Sequence, residues 1–233
     1  MLLPLGDEYK PIRRPYVNYS LIIINVMIFF YFFLQGPRVF LKSVYFLGMT
    51  PINVIAGRRL WTVITSMFIH GSPDHLLGNM LYLFIFGDNV EDILGHAKYL
   101  VFYLLSGLGA TLIHIATLPP YPYAWSSPAL GASGAISGVL AAYMLLFPRV
   151  RIKVLTPIFF GYFMLRVPAH FFIGLWFLYQ FYAGIGSLAG IPSGIAFWAH
   201  IGGFITGLML VKAMKAERGR YRRAYPVPRY YRV

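Results

Sequence analysis

The sequence has no cysteine, which excludes disulfides, thiolate nucleophiles and Cys-ligated zinc or iron–sulfur centres. Charge is also scarce: 12% of the 233 residues are Asp, Glu, Lys or Arg, against about 25% in a soluble domain. Acids are fewer still, 7 against 20 bases, and none lies between Asp92 and Glu217. That gap excludes a paired-aspartate protease built on the later part of the chain. The absence of HExxH excludes the zinc-peptidase helix. A transporter or channel would want charges within the membrane or paired broken helices, and this acid-free region offers no such carboxylate.

What is present is apolar. Hydrophobic residues make up 58% of the chain, and the composition reads as a polytopic membrane protein with one helical bundle. The net charge of +13 gathers towards the ends, which suits anionic lipid headgroups better than a nucleic-acid groove. No basic patch with interleaved aromatics suggests nucleic-acid binding. Residues 1–18 are polar, carry Lys10, Arg13 and Arg14, and read as a cytoplasmic N-terminal segment. The uncharged stretch at 19–36 is long enough for one span. No small-residue cleavage site follows it, so it reads as a retained signal anchor. Residues 37–74 form an aromatic-rich loop, too ordered in composition for a linker and more basic than an outer loop should be.

Five further spans are expected at about 75–86, 99–117, 131–147, 168–182 and 194–211. A charged turn, 87–92, ends the second. The fourth is short: from Ser133 to Phe147 a helix covers roughly 22 Å of a hydrocarbon core roughly 30 Å thick, so Ser133 should lie below the outer surface. Residues 148–153 are basic and read cytoplasmic. Residues 154–165 are apolar but carry Pro157, and are expected to be an interfacial or re-entrant piece. A Gly-rich loop occupies 183–193. The sequence thus predicts an all-α, six-transmembrane-helix membrane domain over 19–211 and a basic tail over 212–233, with both termini cytoplasmic.

The stretch Gly131–Gly138, GASGAISG, is made almost wholly of small residues. Gly134 and Gly138 have the GxxxG spacing that lets a second helix approach closely. Downstream, His200, Gly203 and Gly207 share one helical face. If the two faces pack, Ser133 meets His200 as a nucleophile beside a base. Each residue also has a plainer reading, as a packing serine and as a buried, hydrogen-bonded histidine. A third element is His70-Gly-Ser-Pro-Asp-His75-Leu-Leu-Gly-Asn79. His75 and Asn79 are four residues apart on one face, and both can donate to an oxyanion. The plainer alternative is a helix start capped by Asp74, with Asn79 joining two helices. A zinc site of His70, His75 and His200 is the metal alternative. His96, His114 and His170 read as structural.

Together these motifs resemble the rhomboid intramembrane serine proteases, over residues from about Tyr19 to Val211. GASG around Ser133 is similar to that family's GxSG nucleophile motif. Ala199-His200 with Gly203 and Gly207 is similar to its AHxxGxxxG helix. His70, His75 and Asn79 match its HxxxxHxxxN pattern. Glu91 with Gly95 looks like the turn after its second helix, and Arg166–Ala169 with Trp176-xxx-Gln180 like its fifth-span region. The resemblance implies Ser133 as nucleophile and His200 as general base and then acid. It implies an oxyanion hole of His75, Asn79 and the Ser133 backbone N–H, with no metal and no cofactor. It further implies a fifth-span gate and single-span membrane-protein substrates whose helix unwinds near the outer face. A catalytically silent rhomboid-like protein that binds membrane clients is the alternative. The sequence departs from the family at two places. Thr62, where an arginine often follows the tryptophan, bears on how the first loop is braced. Ser137, where an aromatic often packs on the catalytic histidine, bears on how His200 is held.

Overall fold

The computed structural model describes residues 3–158, 161–189 and 194–214. The chain is mostly helical, as long apolar stretches require, because a backbone shielded from water must bond to itself. Strand β1 (Leu3–Asp7) leads into helix α1 (Tyr16–Phe33). The first loop is ordered as expected, holding α2 (Pro37–Leu47), α3 (Pro51–Ile55), α4 (Thr62–Thr65) and a 3-10 turn at Ser66–Phe68. A helical path then runs through α5 (Pro73–Tyr82), a π turn at Leu83–Gly87 and α6 (Asp88–Leu94). After it come α7 (His96–Ala116), the short α8 (Pro122–Ser126) and α9 (Ser133–Leu146). Strands β2 (Arg151–Ile158) and β3 (Gly161–Pro168) precede α10 (Ala169–Leu188) and α11 (Phe197–Ala213). Helices α1, α7 and α10 are long and apolar enough to cross a membrane, and α9 and α11 are shorter apolar helices.

Helix α9 is the centre of the bundle, buried along most of its length between α7 and α11. Glycine sets the spacing. A Cβ on Gly203 would fall 1.9 Å from the Gly134 carbonyl oxygen, and one on Gly207 would fall 2.4 Å from the Gly138 Cα. The two small-residue faces read from the sequence therefore meet backbone to backbone. Helix α7 packs as closely: a Cβ on Gly134 would fall 2.6 Å from its Ala110 side chain. The outer faces are apolar instead of polar: Ile23, Met27 and Tyr31 of α1 and Phe171, Leu178 and Tyr182 of α10 are exposed. Such surface suits lipid, not water.

Residues 154–158 and 161–165, expected as an apolar interfacial or re-entrant piece, take the form of strands in an antiparallel sheet of order β1-β2-β3, so the all-α expectation gains a small β element. Arg151 and Lys153 are exposed while Ile152 and Val154 are buried in the core, the two-residue alternation of a strand. Residues 3–18 are docked as well: β1 pairs with β2, Leu3 opposite Leu155. The charged turn at 87–92 is helical, and Glu91 and Asp92 are fully buried.

Those buried carboxylates are satisfied by the N-terminal segment. The first turn of a helix has N–H groups with no partner inside the helix. Glu91 accepts from the α1 amides of Val17 at 3.0 Å and Asn18 at 2.7 Å. Asp92 accepts from the Arg13 amide at 2.8 Å and the Tyr9 hydroxyl at 3.1 Å. Asp7 accepts from Asn89 Nδ2 at 2.7 Å and from the Tyr143 hydroxyl of α9. The Gly-rich loop expected at 183–193 begins as helix, since α10 runs on to Leu188. Residues 190–193 of that loop, and the basic tail from 215 onward, lie outside the described residues.

Two outcomes are expected. Gly207→Ala should destabilise the fold by about 1–3 kcal/mol or more, since the new methyl meets backbone and not a movable side chain. Gly174→Ala on α10, where the added methyl meets nothing, serves as the neutral control in detergent unfolding. The second outcome concerns pH. Burial lifts the Asp7 carboxyl to about 6, and burial together with the neighbouring Asp7 charge lifts Asp88 to about 7. The folded chain then holds protons that an unfolded chain has already released, so stability falls as pH rises through 6 and 7. The unfolding temperature should rise from about pH 8 to about pH 5, and Asp88→Asn should flatten that rise.

Candidate active site

Gly131 turns the chain with a φ of 110°, and its N–H donates to the Ser66 carbonyl at 2.9 Å. Helix α9 consequently starts at Ser133, with that hydroxyl in its first turn. On α11, His200 lies one turn below the helix start. Because Gly203 allows α11 against the Gly134 carbonyl, the two side chains meet: His200 Nε2 lies 2.8 Å from Ser133 Oγ. The opposite ring nitrogen, Nδ1, lies 2.8 Å from Oε1 of Gln180, a buried residue of α10. The Trp176 ring of the same helix lies 6.0 Å from the His200 ring at 34°. Ser137, the departure noted above, donates its hydroxyl to the Ser133 carbonyl at 2.6 Å. Packing on His200 thus comes from α10 and not from the residue one turn after Ser133.

The second pair lies on α5. Ser72 caps this helix by accepting from the His75 amide at 3.2 Å, with Pro73 at the first helical position. The cap is therefore Ser72 and not Asp74. His75 and Asn79 converge on the turn before Ser133: a Cβ on Gly131 would fall 2.6 Å from His75 Nε2 and 3.6 Å from Asn79 Nδ2. Asn79 Nδ2 is a buried donor without a protein partner. His70 packs edge-on against His75, ring centroids 5.0 Å apart, and neither of its ring nitrogens has a partner. Burial, with the His75 ring beside it, pushes His70 down to about 3, so it is neutral. Among the described residues, no group of three or more His, Asp or Glu is arranged to hold a metal ion, and His70, His75 and His200 form no such cluster.

A cavity of about 50 Å³ lies beside Ser133, lined in part by Ser66, Thr111 and His114. It exceeds the roughly 10–15 Å³ that a water molecule needs, and its walls carry polar partners. His114, read from the sequence as structural, therefore faces the site. Gln180 had a weak signal in its one-turn spacing from Trp176, but nothing in the sequence paired it with His200. The first loop is braced by an arginine after all. Arg59 Nη2 donates to the Tyr45 carbonyl at 3.0 Å and to that of Phe46, and its guanidinium lies 5.3 Å from the Phe46 ring. Arg59 precedes Trp61 instead of following it.

A hydroxyl hydrogen-bonded to an imidazole, with His75 and the unpartnered Asn79 amide converging nearby, is an arrangement suited to acyl transfer. A family model for the Rhomboid domain matches residues 57–216. The chain is similar to Rhomboid protease AarA of Providencia stuartii, 28% identical over 207 residues that cover 82% of this chain and 69% of that protein. It is similar to RHOMBOID-like protein 4 of Arabidopsis thaliana, 29% identical over 163 residues, covering 70% of this chain and 36% of the relative. Rhomboid protease GluP of Bacillus subtilis is 29% identical over 131 residues, covering 56% and 24%. The match spans less than half the length of RHOMBOID-like protein 4 and of RHOMBOID-like protein 6, mitochondrial, both of Arabidopsis thaliana, at 36% and 45%. The matched domain covers most of the sequence and the helices are apolar, so this integral membrane protein belongs to the rhomboid family.

Proposed function

We propose that this protein is an intramembrane serine endopeptidase that cuts transmembrane segments of membrane-protein substrates, with Ser133 as nucleophile and His200 as general base. The 2.8 Å contact between Ser133 Oγ and His200 Nε2 carries the reading. Nε2 accepts the hydroxyl proton as Oγ attacks the scissile carbonyl. The resulting anion is held by His75, Asn79 and the Ser133 N–H. The last is free of intrahelical bonding because it lies in the first turn of α9. The unpartnered Asn79 amide is the donor such an anion needs. His200 then hands the proton to the leaving amine. Water from the cavity beside Ser133, activated by the same ring, releases the acyl group. Side chains and water suffice, without metal or cofactor.

The membrane arrangement we propose is six spans: α1, α5 with its π turn, α7, α9, α10 and α11. Support comes from the polar end of the bundle. The N-terminal strand, the end of the α5–α6 path and the end of α9 meet through Asp7, Asn89 and Tyr143 and through the β1–β2 pairing, so they lie on one side. Alternating spans from a cytoplasmic N-terminus bring the chain back to the cytoplasm at those points. The 1–18 segment, the 19–211 membrane domain and the 212–233 tail follow, with both termini cytoplasmic. Substrates of this reading are single-span proteins whose helix unwinds near the outer face and enters beside α10.

Cleavage of a tagged single-span substrate in proteoliposomes tests the reading. Ser133→Ala and His200→Ala should abolish cleavage without loss of folding. His75→Ala and Asn79→Ala should each lower kcat by about 10²–10³. Equal cleavage by Ser133→Ala would remove the dyad. A wild type that cuts none of several helix-destabilised substrates would favour the silent, client-binding alternative. Gly131→Ala, which drives a methyl into His75 at a backbone angle that favours glycine, should lower cleavage while Ser133 and His200 are intact.

A further inference from the structure

We propose that Gln180 is the third member of the catalytic array: a positioning residue on α10 that fixes the protonation pattern and aim of His200. This rests on the serine-protease reading above. A neutral imidazole carries one proton. For Nε2 to accept from Ser133, that proton must sit on Nδ1, and whatever faces Nδ1 must be an acceptor. Gln180 Oε1 occupies that place at 2.8 Å, in a side chain that is 5% exposed. A donor there would hold the proton on Nε2, facing Ser133, and leave the hydroxyl without a base.

No acid is available for this role on α10 or α11, since the sequence has none between Asp92 and Glu217. The amide oxygen orients the ring without burying a charge among apolar helices, which would be costly. Gln180 is itself held on both sides. One turn before it, Phe177 stacks on Phe204 of α11 at 4.3 Å; one turn after it, the Gly184 carbonyl accepts from Trp198 Nε1 of α11 at 3.0 Å. These two contacts fix α10 on α11 at the level of His200. Trp176 covers the ring from the same helix. Where Ser137 leaves the α9 side of His200 without an aromatic, α10 supplies both the packing and the polar partner.

The experiment compares wild type, Gln180→Met, Gln180→Glu and Ser133→Ala on the same substrate in proteoliposomes, with unfolding temperatures measured in parallel. Methionine keeps length and burial but offers Nδ1 no oxygen. Glutamate presents an acceptor oxygen in either protonation state. Gln180→Met should lower kcat about tenfold or more with KM within about twofold, because the loss falls on proton transfer and not on substrate binding. Gln180→Glu should stay within about threefold of wild type, a rescue that a packing role alone would not give. Wild-type kcat in Gln180→Met, or an equal loss in both variants at unchanged unfolding temperature, overturns the assignment. If Gln180→Met melts early, the glutamate variant decides: activity near wild type supports the acceptor role, and activity as low as methionine's overturns it. Loss of cleavage in Ser133→Ala alongside full activity in Gln180→Met would overturn this inference alone. A wild type that fails to cleave would remove the protease reading and this inference together.

Discussion

The structure depends on one contact, the approach of α9 and α11 through Gly134, Gly138, Gly203 and Gly207. In a lipid surround, apolar side chains gain little by leaving one apolar medium for another, so helices associate through close packing. Glycine permits the closest packing available, and here the backbones touch. The same contact sets the distance between Ser133, at the start of α9, and His200, one turn into α11. The fold and the Ser133–His200 contact are therefore fixed by the same few atoms. A wider interhelical spacing would separate the pair beyond hydrogen-bond reach, even with both residues retained.

A second constraint operates at the opposite end of α9. Two buried carboxylates on α6 and a half-buried one on β1 each need donors, and the N-terminal segment brings most of them. Unpaired, such groups would be expensive in a low-dielectric setting. Paired, they fasten β1 and the start of α1 to α6, and Tyr143 carries the connection into α9. The helix that presents Ser133 is thus anchored at both ends: by glycine packing near the site, and by a polar cluster and a small sheet at the far side. A rigid support of this kind suits a site that must keep donors aimed at a developing charge.

Much of the site was legible because its residues occur in local patterns. GASG, the His200–Gly203–Gly207 face and the His75–Asn79 spacing are readable one helix at a time, since helical periodicity turns spacing into a shared face. The sheet was hidden because alternation of Arg151, Ile152, Lys153 and Val154 also looks like a basic loop followed by an apolar stretch. The docking of residues 3–18 was hidden because their partners, Asn89, Glu91 and Asp92, are more than seventy positions away. The bracing role of Arg59 was hidden because its targets are backbone carbonyls, which leave no mark in the sequence.

The sequence by itself determined that the chain is an apolar helical membrane protein, which helices pack closely, and which hydroxyl, imidazoles and amide stand on inward faces. Composition and short-range spacing suffice for that, because they act within single elements. Only the tertiary structure decided what stands behind His200, where α6 buries its acids, and how residues 151–158 pair with 161–168. Those outcomes depend on contacts between elements far apart in the chain. Gln180 shows the difference most plainly: its one-turn spacing from Trp176 says nothing of His200, and the pairing appears only when α10 sets its oxygen 2.8 Å from His200.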